Sequence, residues 1–436
     1  MGERLLAFVA PVLVQLDRRL DRRLVRTFLA TVGVLLQVRH RACGLLLSEL
    51  GGYLATPAHA PAGTKRLSNL LRSRRWTHRV LERFLWRGAA RRLAELAASG
   101  RDAIALWDES VLEKPESTAL AGLCAVRSAR ARRLKRMKPG FYTPPGGPPV
   151  FVPGMQWLSI LVAGWGGPPT LALMRWWTTR GRFRTERRPL QTRLLTRCAR
   201  AWGQRVLHVF DRGFAGAPWL ERLAAAEVRF VVRWPKHYQL TSLDGRERKI
   251  WELLRGKRSC ARRRLWDAHR RQHFTAGIAV LPVVHPAVPG LALWLVVSRP
   301  GTGRPPWYLL TNEPLSSAGR VSTRAWDVVL AYARRWQIEM AFRFTKSELV
   351  MESPRLWAWG NRLKLLLMVT LVYAFLLSLL DPALQSLREW LLRNWCHRTG
   401  KRSRVAATPL YRLRSALSRL WLAYRPKLLL PTETSG

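Results

Sequence analysis

Apolar residues recur at helical spacing in LLAFVAPVLVQL, RLVRTFLATVGVLLQV and RVLERFLWRGAARRLAELAA, so residues 1–100 are expected to form helices. A loop with Pro and Gly, from Thr56 to Thr64, divides them. After Gly100 the period changes to short apolar runs of strand-like content, each stopped by Gly, Pro or a polar residue. AIALW runs into Asp108, QWLSILVAG and TLALMRWW follow, and VLHVF runs into Asp211. A short helix around WLERLAAA then leads to FVVRW, Phe230 to Trp234. This order of three strands and then helix, strand, helix predicts an α/β fold, a mixed sheet with helices on its faces.

Two inserts interrupt the pattern. RSARARRLKRMKPGFYTPPGGPPV passes from a basic run into a Pro/Gly loop, which reads either as a cover over the active face or as a solvent loop. Residues 235–306 contain TAGIAVLPVV and LALWLVVS and predict a small β-subdomain before WYLLTN returns to the core. Further on, Leu365 to Leu380 carries no formal charge and is bracketed by Lys364 and Asp381. It falls short of the usual spanning length, about 20 residues, and is expected to be a core helix rather than a membrane span.

Composition changes the picture through charge. The 436 residues are enough for two or three domains, and 75 Lys plus Arg against 27 Asp plus Glu leave a net charge of +48. Self-repulsion on that scale calls for a polyanionic partner, with nucleic acid first, although part of the Arg excess fits a GC-rich coding bias. Lys65, Arg66, Arg72, Arg74, Arg75 and Arg79, interleaved with Trp76 and His78, read as a DNA-docking helix or as a solvated basic face. Cys43, Cys124, Cys198, Cys260 and Cys396 are scattered and odd in number, which fits a reducing, cytoplasmic, nucleoid-associated setting. The amino-terminal apolar run meets Asp17, Arg18 and Arg19 without a small-residue cleavage site and is expected to be a helix of the mature protein. Cys396 beside His397 lacks a second ligand pair, so no zinc site is expected.

Asp108 and Asp211 each follow a five-residue apolar run, which predicts two carboxylates at the carboxyl ends of buried strands, where open α/β sheets build their sites. Alone, such a pair also fits capping or turn chemistry. The run Tyr332 to Lys346, YARRWQIEMAFRFTK, predicts one helix with Tyr332, Arg335, Glu339 and Lys346 on a common side, because sevens drift only about 20° per step. Alone, that stripe also fits an exposed helix with internal ion pairs.

Together these residues resemble the insertion-sequence DDE transposases of the cut-and-paste type, whose signature is Tyr, two residues, Arg, three, Glu, six, Lys. The four positions match at that spacing. The second family motif matches at Asp211, Arg212, Gly213 and Phe214, and the first at Asp108, Glu109 and Ser110, where the family usually has Thr in the third place. FVVRW resembles the segment after the family's second Asp, and the likeness covers roughly residues 100–380.

The resemblance implies an RNase H-like mixed-sheet core with a β-rich insertion and a helical amino-terminal domain that binds transposon ends. The division is then 1–100 helical and DNA-binding, 101–234 the first part of the core, 235–306 the insertion, 307–385 the second part with the Glu-bearing helix, and 386–436 a basic helical tail. Asp108, Asp211 and Glu339 are implied as catalytic ligands of two Mg²⁺ ions, with Mn²⁺ as a substitute. Tyr332, Arg335, Lys346 and Arg212 are implied at DNA, joined by Arg72, Arg74 and Arg75 of the basic cluster. Glu109 and Glu348 are the competing carboxylates, and Trp234 and Trp266 are candidates for stacking on unpaired bases, though core packing suits most of the 21 Trp. The implied partners are terminal inverted repeats, target DNA and a second copy in a synaptic complex, with no membrane. A metal-dependent nuclease on a similar core and a transposase-derived DNA binder without catalysis are the alternatives.

Overall fold

The structure is a computed structural model and describes residues 1–40, 43–117, 119–134, 147–267, 272–301, 305–315, 323–396, 410–426 and 428–430. Five helices come first: α1 (Gly2–Asp17), α2 (Arg22–Gln37), α3 (Leu47–Leu54), α4 (Ala60–Arg72) and α5 (Arg79–Ala98). The start of α2 is set by Asp21, whose carboxylate accepts the Leu24 N–H at 3.0 Å, and its length by the buried stripe Val25, Phe28, Leu29, Val32 and Leu36. α3 and α4 cross at Gly51 and Gly63, where a Cβ on either residue would collide with the other helix.

Then follow β1 (Ala103–Glu113), β2 (Cys124–Arg127), α6 (Ala129–Leu134), β3 (Phe151–Ala163), β4 (Thr170–Trp177), α7 (Arg187–Trp202), β5 (Val206–Phe210), α8 (Ala217–Ala225) and β6 (Arg229–Arg233). Next come β7 (Gln239–Thr241), β8 (Glu247–Lys249), α9 (Ile250–Leu253), β9 (Ala261–Asp267), β10 (Gln272–Val283), β11 (Leu293–Arg299) and β12 (Trp307–Thr311). The chain continues through α10 (Thr323–Arg334), α11 (Trp336–Ser347), α12 (Trp359–Ser378), α13 (Gln385–Trp395) and α14 (Leu410–Ala423).

One sheet organises these elements, in the order β2-β3-β1-β5-β6-β12-β11-β10-β9 with β4 on β3. β1, β5 and β6 run parallel and the other pairings are antiparallel, so the sheet is mixed. Of the segment 235–306 only β7 and β8 form a separate sheet, an antiparallel pair, whereas β9, β10 and β11 extend the main sheet through β12. The apolar Leu293, Leu295, Val296 and Val297 are buried on both faces of β11, which a strand inside a wide sheet requires. Of the basic Pro/Gly insert, residues 135–146, and with them the expected cover over the active face, lie outside the described residues.

Alternation along the central strands divides the core into two faces. Ile104, Leu106, Leu207 and Val209 pack with α1, α2, α10, α11, α12 and α14, whereas Ala105, Trp107 and Phe210 pack with α7 and α8, and His208 stacks on Trp202 of α7. The helices of 2–98 are therefore continuous with the sheet's core, and α5 touches both faces through Leu81 and Ala89. α12 is long and apolar enough to cross a membrane by length and composition, yet 83% of its apolar window is buried inside the protein. Its Lys364 ammonium donates to the Leu71 and Ser73 carbonyls, at 2.8 and 2.7 Å, and so caps the end of α4. α14 closes the molecule onto α2, where Ser418 donates to the Gln37 carbonyl at 2.7 Å.

Candidate active site

The parallel ladder between β1 and β5 ends at Trp107 opposite Phe210, and that between β5 and β6 at Phe210 opposite Val232. The next residues in register are Asp108, Asp211 and Arg233, so two carboxylates and a guanidinium start from adjacent positions. Asp211 leaves its strand, as expected. Asp108 does not end a strand: β1 continues to Glu113 by pairing with β3, Asp108 lying opposite Ser159. A strand end and a strand middle come side by side because β5 is short and β1 is long.

The expected continuous helix from Tyr332 to Lys346 is broken at Arg335, which separates α10 from α11. Arg335 N–H donates to the Tyr332 carbonyl and Ile338 N–H to the Arg335 carbonyl, both at 3.1 Å, so the turn tightens to three-residue bonds there. No Pro or Gly marks the break in the sequence.

Arg335 stands at the centre of the site. Its Nη1 lies 2.7 Å from Asp108 Oδ2, its Nε 3.9 Å from Asp211 Oδ1, and its Nη2 bonds Glu339 Oε1. In the absence of DNA it pairs with all three acids, because a buried guanidinium requires counter-charge. Tyr332, expected beside the DNA backbone, is only 4% exposed and donates its hydroxyl to Asp211 Oδ1 at 3.2 Å. Arg233 in turn donates to the Tyr332 oxygen at 3.4 Å. Lys346 donates to Ser110 Oγ at 2.9 Å, which ties α11 to β1 two residues beyond Asp108.

The rival carboxylates are held elsewhere. Glu109 points to the opposite sheet face, where Arg187 Nε and Gln191 Nε2 each donate to it at 2.7 Å. Glu348 sits by Arg414, whose guanidinium is 3.9 Å from its carboxylate and bonds its carbonyl. Arg187, Gln191 and Arg233 were not singled out from sequence. For Arg233 a signal existed, since it follows an apolar strand run just as the two aspartates do.

Burial pushes the Asp108 carboxyl up to about 7, with Arg335 opposing and the Asp211 charge reinforcing the rise. Burial also works against the Asp211 charge, but Arg335, the Arg212 N–H, Arg233 and the Tyr332 hydroxyl together hold it below its ordinary value. Among the described residues no three His, Cys, Asp or Glu side chains are gathered closely enough to hold a metal directly. The oxygens of Asp108, Asp211 and Glu339 converge on a cation, however, and hard oxygens of this kind suit Mg²⁺.

Arg212, Arg72, Arg74 and Arg75 are exposed. Arg72 lines a small cleft with Trp357. Trp76 is core, its indole N–H bonded to the Leu70 carbonyl at 2.8 Å. Trp234 is also buried, against Tyr238 and His285, and so does not serve as a stacking platform. Trp266 stands out on the edge strand β9 at 53% exposure.

Residues 182–375, a little under half of the chain, match the transposase DDE domain family, a span that contains Asp211 and the Tyr332–Lys346 residues and begins after Asp108. No curated protein matches the chain. Among solved structures, a piggyBac transposase synaptic complex with hairpin DNA aligns at 14% identity and a TM-score of 0.34, covering 76% of this chain and 55% of that one. The chain thus spans about half the length of that protein.

Proposed function

We propose, with the match over residues 182–375 as support, that the chain is a cut-and-paste DDE transposase of an insertion sequence, built on an RNase H-like core. The observation that carries this reading is the convergence of Asp108, Asp211 and Glu339, from two neighbouring strands and one helix, on a single cationic centre. In this reading the three carboxylates hold two Mg²⁺ ions, with Mn²⁺ as a substitute. When bound, such a pair supplies activation of the attacking oxygen and stabilisation of the leaving oxygen in phosphodiester cleavage and strand transfer.

The protein's own groups have separable tasks. Asp108 sheds the proton that its buried carboxyl favours, which frees its oxygens to act as ligands. Tyr332 and Arg233 orient Asp211. Arg335 releases the acids and turns its planar fork to a phosphate, and Lys346 offers a point charge nearby. Arg212 and the exposed Arg72, Arg74 and Arg75 bind backbone phosphates, the latter three as part of an end-binding helical region, residues 1–100. The partners are terminal inverted repeats and target DNA, with a second copy in the synaptic complex, in a cytoplasmic, nucleoid-associated setting.

A gel assay with duplex carrying the element's ends tests this. Asp108→Ala, Asp211→Ala and Glu339→Ala are each expected to abolish Mg²⁺-dependent cleavage while retaining binding to that duplex. A folded Glu339→Ala protein that cuts at near wild-type rate removes Glu339 from the triad. Cleavage by the wild type without joining of the 3′ end to target makes the protein a nuclease, and binding with neither product makes it a non-catalytic DNA binder.

A further inference from the structure

α7 is two-sided. Leu190, Leu194, Leu195, Cys198 and Trp202 are buried against the sheet face that does not carry Asp108 and Asp211. The outer side carries Arg193, Arg197 and Arg200, and with Arg222 of α8 they line a shallow concavity of about 840 Å³. The stripe from Arg193 to Arg200 spans roughly 10 Å at about 1.5 Å rise per residue. That reach faces about three successive phosphates of one DNA strand, at roughly 3.4 Å per phosphate along the axis.

Arg222 donates to the Pro218 carbonyl of its own helix, a neutral partner that leaves its charge in place. Among the described residues no carboxylate pairs with Arg193, Arg197, Arg200 or Arg222, in contrast to Arg175 with Glu82 and Arg187 with Glu109 nearby. Thr192 and Thr196, which line the same surface, return their hydroxyls to α7's own carbonyls at 2.9 and 3.1 Å. Arg197 lies 3.8 Å over the Trp86 ring, and Trp86 stacks on Trp202 at 4.6 Å and 14°. One guanidinium face is thereby fixed on an aromatic shelf, while its N–H edges remain available to two oxygens of a phosphate. A second copy of this chain is a poor occupant, because it offers only 27 acidic residues against 75 basic ones.

We propose that this α7–α8 surface is a second DNA-binding site, gripping the phosphate backbone of a duplex segment on the side of the sheet opposite the carboxylates. The proposal rests on the transposase reading and adds to it a segment that the carboxylate face does not hold.

The test uses the full chain and a duplex of about 30 base pairs, with affinity followed over a salt series. The triple variant Arg193→Ala, Arg197→Ala, Arg200→Ala is expected to lower the log–log salt slope by about 2 to 3, at roughly 0.9 per lost phosphate contact. An unchanged slope overturns the proposal and leaves the transposase reading standing, whereas a wild type that binds no duplex defeats that reading itself. Photo-crosslinking from positions 193 and 200, both exposed, keeps the question decidable should the triple variant fold poorly. Crosslinks to DNA support the site; crosslinks to protein alone, or none, overturn it.

Discussion

Arg335 gathers three carboxyl groups within a partly buried space, so its neighbours report on the site as a unit. Tyr332 is the clearest case, because its hydroxyl faces Asp211 and not solvent. Tyr332→Phe is expected to slow cleavage about tenfold, consistent with roughly 1.5 kcal/mol for a hydrogen bond to a charged group, and to leave duplex affinity unchanged. Single-turnover cleavage beside an equilibrium titration checks this, and a matching loss of affinity would return Tyr332 to the DNA backbone.

His208 sets a pH dependence at the same scale. Burial lowers its pKa to about 3, and its Nδ1 accepts the Trp107 indole N–H at 3.0 Å. The unfolded chain therefore takes up a proton below about 6.5 that the fold refuses, so the neutral ring's stabilisation is complete above that value and is lost toward about 3. His208→Phe removes the acceptor and is expected to cost about 1–3 kcal/mol at pH 8. The deficit should narrow as pH falls below 6.5, since Phe carries no proton. Denaturant melts across pH measure it, and a constant gap refutes the linkage.

At the scale of elements, α12 is the beam on which one face of the sheet rests. Leu371 has no exposed surface and lies in the cluster shared with the strands and the amino-terminal helices. Leu371→Ala should cost about 2–5 kcal/mol and lower the melting temperature, the usual consequence of a cavity in a close-packed interior. A change within about 0.5 kcal/mol would mean that the helix is not packed on all sides. The α10–α11 break belongs to this scale too. YARRWQIEM is built of acceptable helix formers throughout, and at its interruption Arg335 meets the carboxylates on β1 and just after β5.

Across the whole molecule, a net charge of +48 repels itself. Without DNA, the melting temperature should rise as NaCl increases from about 0.05 to 0.5 M, because the Debye length shortens from over 10 Å to a few ångströms. Differential scanning fluorimetry shows this directly, and a fall in melting temperature over that range would mean that attractive pairs outweigh the net charge.

Local chemistry was legible in the chain. VLHVF became a strand with Asp211 directly after it, most of α12 was the uncharged run from Leu365, and the steps of three and four residues from Tyr332 through Arg335 to Glu339 keep those side chains together, because periodicity and spacing are properties of neighbours in sequence. Register, rank and partner choice were decided only by the tertiary structure. The ladder ending at Trp107 and Phe210 brings Asp108 beside Asp211, β9–β11 join the main sheet through β12, and Glu109 turns to Arg187 while Asp108 turns to Arg335. Those outcomes depend on which strands pair and on which distant charge lies nearest once they have, and no local pattern of residues encodes either.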